Sequence, residues 1–201
     1  MKKKQIAFRF KGTRDYIHGT DMFNVMMAES RSALTRNNIH LTIHDFVRTS
    51  ICQLVITTSK ESLNEMKDIA ARCQLDLDGV THWIGIAKDG KNNVSGERYT
   101  YDESRIISLC SMDGDGIVLD GLSPFSFIET VVAMNKHLHQ QLFPEAIGKW
   151  IFTRLDLPQF CDVRENLALR FRHNMNFRLT KSEIEVDGRT VGDIFFSLVK
   201  T

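Results

Sequence analysis

Two side chains in this chain are well suited to moving a proton, and they stand far apart in sequence. One is His18, in Tyr16-Ile17-His18-Gly19; the other is Glu129, in Phe127-Ile128-Glu129-Thr130. An imidazole titrates near neutrality and serves as a general base. A carboxyl among apolar neighbours is biased toward its protonated form, because burial penalises charge, and serves as an acid. Each also has a plainer reading. His18 can be a loop histidine bonded to backbone, and Glu129 can face solvent or pair with an arginine such as Arg154 or Arg31. Both lie beside the start of a helical stretch, where unpaired amides near residues 20–22 and 123–125 can polarise a carbonyl. Arg14, Asp15 and Tyr16 form a polar cluster next to His18, either surface loop or site lining.

Other chemistry is weaker in the sequence. His137 and His139 are two apart on a helical stretch and point to different faces, so they do not share a metal. Cys52, Cys73, Cys110 and Cys161 form no C-x-x-C pair and lie in apolar or alternating runs, which reads as reduced, structural thiols. Asp113-Gly114-Asp115-Gly116 lacks the spacing of a calcium loop and reads as a turn. No metal and no cofactor is expected. Arg170, Arg172 and Arg178 could meet the phosphates of a carrier's pantetheine arm, or form the wet face of a strand.

The elements that must position these residues recur. In the first half, alternation predicts a strand over residues 5–10, and Asp21 is the expected N-cap of a helix over residues 22–36. Strands are expected over 40–47, 49–58, from about 69 to 78, and 82–87, with Asp78-Gly79 as a hairpin turn; Leu63, Met66, Ile69, Ala70 and Cys73 also have helical spacing, which leaves strand or helix open over 61–73. Residues 89–96 read as a linker. In the second half a strand is expected over 105–110. Ser123 is then the expected cap of a helix with Pro124 at its first position, running to about Leu142 and apolar over most of its girth. Strands over 149–157, 167–174, 176–186 and 190–200 follow, the last two joined by Asp187-Gly188.

Three landmarks repeat in one order, with offsets of 102 (Gly19 and Gly121), 109 (Asp78 and Asp187) and 100 (Ile6 and Ile106). A period this long indicates two domain-sized units, residues 1–95 and 99–201. Each reads strand, loop, greasy helix, four strands, and the economical packing is a curved antiparallel sheet wrapped around its helix. At offset 102 the counterpart of His18 is Asp120 and that of Glu129 is Met27, so the two halves differ at these positions.

That order resembles the hot-dog fold, here as two tandem units forming a pseudo-dimer in the α+β class. The hot-dog superfamily includes acyl-thioester dehydratases and thioesterases. The resemblance implies an enzyme acting on an acyl thioester of coenzyme A or acyl carrier protein, as a 3-hydroxyacyl dehydratase or a thioesterase. It implies catalytic roles for His18 and Glu129, with Tyr16, Gly19, Gly121 and Ser123 against the substrate. The Glu129 helix and the Trp150-Ile151-Phe152 strand are also similar to the A-factor biosynthesis domains, which implies an acyltransferase. A non-catalytic binding or scaffold module is the rival reading, favoured by the unequal halves.

Composition limits the partners. The chain has 201 residues, a net charge of +1 and 42% hydrophobic residues, an ordinary soluble make-up with no basic footprint for nucleic acid. No apolar run is long enough for a membrane span, and the basic Met1-Lys2-Lys3-Lys4 start is not followed by the apolar core of a signal peptide. A cytoplasmic location is expected, and a homo-oligomer stays open.

Overall fold

The computed structural model describes residues 1–30, 35–88 and 96–200. The chain divides into two compact units, Met1–Tyr101 and Asp102–Thr201. Most of the expected linker, and Arg31, Ala33 and Leu34 of the expected first helix, lie outside the described residues.

Unit one contains β1 (Lys2–Ala7), β2 (Phe10–Lys11), α1 (Gly19–Glu29), β3 (Arg36–Ile43), β4 (Ile51–Thr57), α2 (Lys60–Asn64), β5 (Ile69–Leu77), β6 (Val80–Lys88) and β7 (Arg98–Tyr99). Five strands form an antiparallel sheet in the order β1-β4-β6-β5-β3, while β2 and β7 make a short parallel pair. Cys73, Leu75 and Ile84 on one sheet face are fully buried, and Leu54 and Ile86 are nearly so. The opposite face carries α2: Leu63 stands over Gly85, where an added Cβ would lie 2.6 Å from the Leu63 side chain. Arg72 donates to Asn64 Oδ1 on that same side at 2.7 Å. The Asp78-Gly79 turn is as expected, both residues having positive φ (54° and 76°), the backbone that a two-residue hairpin loop requires.

Unit two contains α3 (Ser104–Ile107), β8 (Cys110–Asp113), β9 (Gly116–Leu119), α4 (Phe127–Leu142), β10 (Lys149–Gln159), β11 (Leu167–Met175), β12 (Leu179–Val186) and β13 (Arg189–Val199). Its antiparallel sheet runs β8-β9-β11-β12-β13-β10. Helix α4 is buried around most of its circumference, as its apolar sequence requires. His139 of α4 meets the rings of Trp150, Phe171 and Phe196 at 4.5, 5.6 and 5.6 Å, and the Thr180 hydroxyl at 2.6 Å. Those partners belong to β10, β11, β13 and β12, so four strands converge on one helical side chain.

Several expected boundaries are corrected. Helix α1 starts at Gly19 with His18 as its N-cap, not Asp21, and it stops at Glu29. Arg36 is not helical: it opens β3, and its guanidinium donates to the Met27 carbonyl of the last helical turn at 2.8 Å. The expected strand over 105–110 is largely the short helix α3, because the Asp102 carboxylate accepts from the Ser104 amide (3.0 Å) and hydroxyl (2.7 Å) and nucleates a turn. Helix α4 begins at Phe127, capped by Ser126 rather than Ser123. Strand β12 begins only at Leu179, because Asn176 and Phe177 form a turn with φ of 51° and 60°.

The helix starts also correct the register of the duplication. The two N-caps differ by 126 − 18 = 108, close to the 109 of the hairpin turns. At that offset the counterpart of Glu129 is Asp21, since 129 − 108 = 21, and both acids stand third in their helices. The Ile6 and Ile106 echo pairs a strand with a helix and is not a structural equivalence.

Candidate functional site

The chemistry of unit one gathers at the N-terminus of α1. The loop before it is fixed by backbone: the Ile17 amide donates to the Val47 carbonyl at 2.8 Å, and β2 pairs with β7 so that Lys11 lies opposite Tyr99. His18 adopts the extended backbone of an N-cap, and its carbonyl accepts from the amides of Asp21 and Met22 at 3.0 and 3.2 Å. No side chain caps α1. The His18 ring instead places Nδ1 2.8 Å from Thr20 Oγ1. Tyr16 stacks beside that ring with centroids 6.5 Å apart and meets Phe46 edge-on at 4.8 Å. Gly19 is the first helical residue. The sequence-predicted residues Tyr16, His18 and Gly19 therefore do come together.

Behind them lies a group that sequence reasoning missed. Lys11 is 0% exposed, and its ammonium donates to Thr20 Oγ1 at 2.8 Å and pairs with Asp21 Oδ1 at 3.0 Å. Asp21 Oδ1 also accepts from the Tyr99 hydroxyl at 2.8 Å. The Lys11 ammonium stands 4.4 Å from the centre of the Tyr101 ring, whose negative face favours a cation. A buried lysine is tolerable only with such partners, because desolvating an ammonium costs several kcal/mol. The Tyr99-Thr100-Tyr101 alternation was the available signal, but it sits next to a stretch read as linker.

In unit two the predicted residues surround the start of α4. Glu129 Oε2 accepts from the Ser126 amide at 3.1 Å and the Ser126 hydroxyl at 2.7 Å, a capping box. Ser123 is fully buried; its hydroxyl accepts from Thr130 at 2.6 Å and from the Phe125 amide at 3.2 Å. Gly121 is exposed, with a positive φ of 132°. Asp120 accepts from the Ser111 hydroxyl at 2.7 Å, which ties it to β8. Arg154, one alternative partner for Glu129, forks onto Asp156 on its own strand at 2.6–3.0 Å.

The remaining candidates are structural. Burial pushes the Cys73 thiol up to about 12, and burial with help from Asp120 pushes the Cys110 thiol to about 11, so neither supplies a thiolate at neutral pH. Arg170 pairs with Asp113 and Arg172 with Glu183, strand-face neighbours. Asp113-Gly114-Asp115-Gly116 is the β8–β9 hairpin turn. Among the described residues, no helix is long and apolar enough to cross a membrane.

No protein-family model matches the sequence, and no curated protein does. Solved structures do match in shape. A protein assigned as a thioesterase II, from Thermobifida fusca, aligns with a TM-score of 0.56 at 8% identity, over 98% of this chain and 92% of that one. The dehydratase domain of PpsC from Mycobacterium tuberculosis, solved in complex with C12:1-CoA, aligns with a TM-score of 0.53 at 6% identity, over 98% and 92%. A tesB protein from Mycobacterium avium subs paratuberculosis aligns with a TM-score of 0.51 at 8% identity, over 98% and 93%. With sheet, central helix and near-complete alignments in agreement, the chain has the hot-dog fold, laid out as two tandem units.

Proposed function

We propose that this chain is an acyl-thioester enzyme that works on a coenzyme A or acyl-carrier-protein ester, with His18 at the thioester carbonyl. The observation that carries the reading is the placement of His18 as N-cap of α1, held by a buried Lys11–Thr20 support and next to the Gly19 and Thr20 amides, which no side chain caps; the Asp21 and Met22 amides, expected to be open, are taken by the His18 carbonyl. Helix-terminal amides and a nearby imidazole suit a carbonyl oxygen that gains negative charge during reaction. The fold neighbours, a thioesterase II assignment and a dehydratase domain holding an acyl-CoA, are consistent with that substrate class.

Between the two chemistries the capping box favours hydrolysis. Glu129 Oε2 already acts as an acceptor toward Ser126, which suits a carboxylate that takes a proton rather than one that gives it. In this reading water attacks the thioester carbon, its proton passes to Glu129, the C–S bond breaks and the departing thiolate takes up the proton. Tyr16, Gly19, Gly121 and Ser123 are proposed to line the substrate path. A cytoplasmic location belongs to the same proposal.

Purified protein incubated with saturated and 3-hydroxyacyl thioesters tests this. Release of free thiol is the expected result, lost by roughly a hundredfold or more in His18→Ala and Glu129→Gln. An enoyl product without free thiol would instead assign dehydration. Neither product would leave the scaffold reading, and acyl transfer to an added acceptor would assign an acyltransferase.

A further inference from the structure

We infer that Lys11, acting through Thr20, holds neutral His18 with its proton on Nε2, so that His18 meets a substrate as a hydrogen-bond donor and not as a base. An ammonium only donates. Lys11 Nζ lies 2.8 Å from Thr20 Oγ1, so the hydroxyl oxygen is the acceptor of that bond. Thr20 is 1% exposed and its hydroxyl carries a single proton. The other polar partner of that hydroxyl is His18 Nδ1 at 2.8 Å. With a lone pair taken by Lys11, Thr20 satisfies both groups by donating to Nδ1. The neutral ring then carries its proton on Nε2. The opposite tautomer would make Thr20 accept from Lys11 and His18 together and leave its own proton buried without an acceptor, a costly arrangement.

Lys11 is itself fixed by Asp21 Oδ1, which the Tyr99 hydroxyl also holds. The chain of donors therefore runs from the β2–β7 pair through the first turn of α1 to the imidazole. Lys11 and Thr20 are positioning residues. The catalytic consequence rests on the proposed acyl-thioester function: an Nε2–H beside the helix-terminal amides gives a donor to the thioester oxygen. It also opposes removal of an α-proton by His18, which dehydration would need.

Nitrogen-15 NMR of the 201-residue protein with the His18 ring neutral reads the tautomer directly, since protonated and bare ring nitrogens resonate far apart. We expect the Nε2–H form to exceed the other by at least roughly tenfold. Thr20→Val should give a mixture of tautomers, and Thr20→Ser should restore the single form. Lys11→Met, if it folds, should also give a mixture, because Thr20 is then released to accept. An Nδ1–H ring in the native protein, or a tautomer ratio identical in native and Thr20→Val proteins, overturns the inference. In turnover of a thioester, Thr20→Val should lower kcat about tenfold, part of the roughly hundredfold cost of deleting an oxyanion donor, with KM little changed. A native Nε2–H tautomer in a protein that turns over no thioester would sink the proposed function and leave this inference standing.

Discussion

Each unit places an acid third in its central helix and pairs a histidine with a threonine, yet the two units use these parts differently. In unit one Asp21 turns away from its own helix to hold buried Lys11, and His18 Nδ1 faces Thr20 at the rim of α1. In unit two Glu129 folds back to cap α4, and His139 sits inside the core with Nδ1 against the Asn135 carbonyl at 2.7 Å and Nε2 against Thr180. The first arrangement stores charge next to an open helix end. The second spends the same residue types on packing. Among the described residues, Lys11 of unit one is the buried cation that supports a pre-helix loop.

The sharpest way to break that contrast is to remove the cation. Lys11→Met leaves Asp21 without its ammonium in a buried site and should destabilise unit one by roughly 4 kcal/mol. Lys136→Met, which removes the partly exposed Lys136–Glu103 pair of unit two, should cost less than about 1 kcal/mol. Urea denaturation of both variants checks this; equal losses would mean that the Lys11 network is ordinary surface electrostatics.

Acid tests the His139 side of the comparison next. Burial lowers the His139 pKa from 6.5 to about 4. The unfolded chain therefore takes up the proton first as pH falls. Stability contributed by this group is complete above 6.5, is lost between 6.5 and about 4, and levels off below. The loss is on the order of 3 kcal/mol. His139→Leu should flatten that part of the stability–pH curve, measured by thermal melts across the range, and an unchanged slope would remove His139 as its source.

The sheets differ too. In each unit the central helix is followed by four strands of the main sheet, the last two joined at an Asp-Gly turn. In unit two β12 lies beside β11 and β13 beside β10, a meander. In unit one the hairpin is reversed: β5 lies beside β3, and β6 lies between β4 and β5. The cause is local. A tight turn at Asn176-Phe177 sends β11 straight into β12, whereas Ser59 caps α2 by accepting from the Ser62 amide at 3.1 Å. That helix carries the chain across β6 before β5 begins. Gly85 makes room for the crossing. Gly85→Val should therefore cost about 2 kcal/mol through forced displacement of Leu63, while nothing comparable exists at the β11–β12 turn.

The sequence made the hairpins, the four-strand runs and the greasy α4 legible because each is a local pattern: turn residues, alternation, apolar periodicity. It did not reveal the sheet order, which depends on whether residues 58–68 turn or cross. Each expected helix start is off by three residues because Asp21 and Ser123 look like caps in isolation. Their side chains are claimed instead by Lys11 and Thr130, ten and seven residues away in sequence. Tyr16, His18 and Gly19 are legible as candidates from their place before a helix. Lys11 was not, because a lone lysine near a strand reads as surface until Tyr99 and Tyr101 are known to enclose it.

The smallest effect tests the acids themselves. If Glu129 is chiefly a cap, Ser126→Ala and Glu129→Gln should each lower stability by about 1 kcal/mol, and the double variant should lose less than the sum because the two share hydrogen bonds. Asp21→Asn should cost more, since it strips the countercharge from a buried lysine. The order Asp21 over Glu129 in stability, joined to a turnover loss in Glu129→Gln larger than its stability loss explains, would separate structural from chemical use of the same helical position. A Glu129→Gln protein with full turnover would confine that acid to its cap.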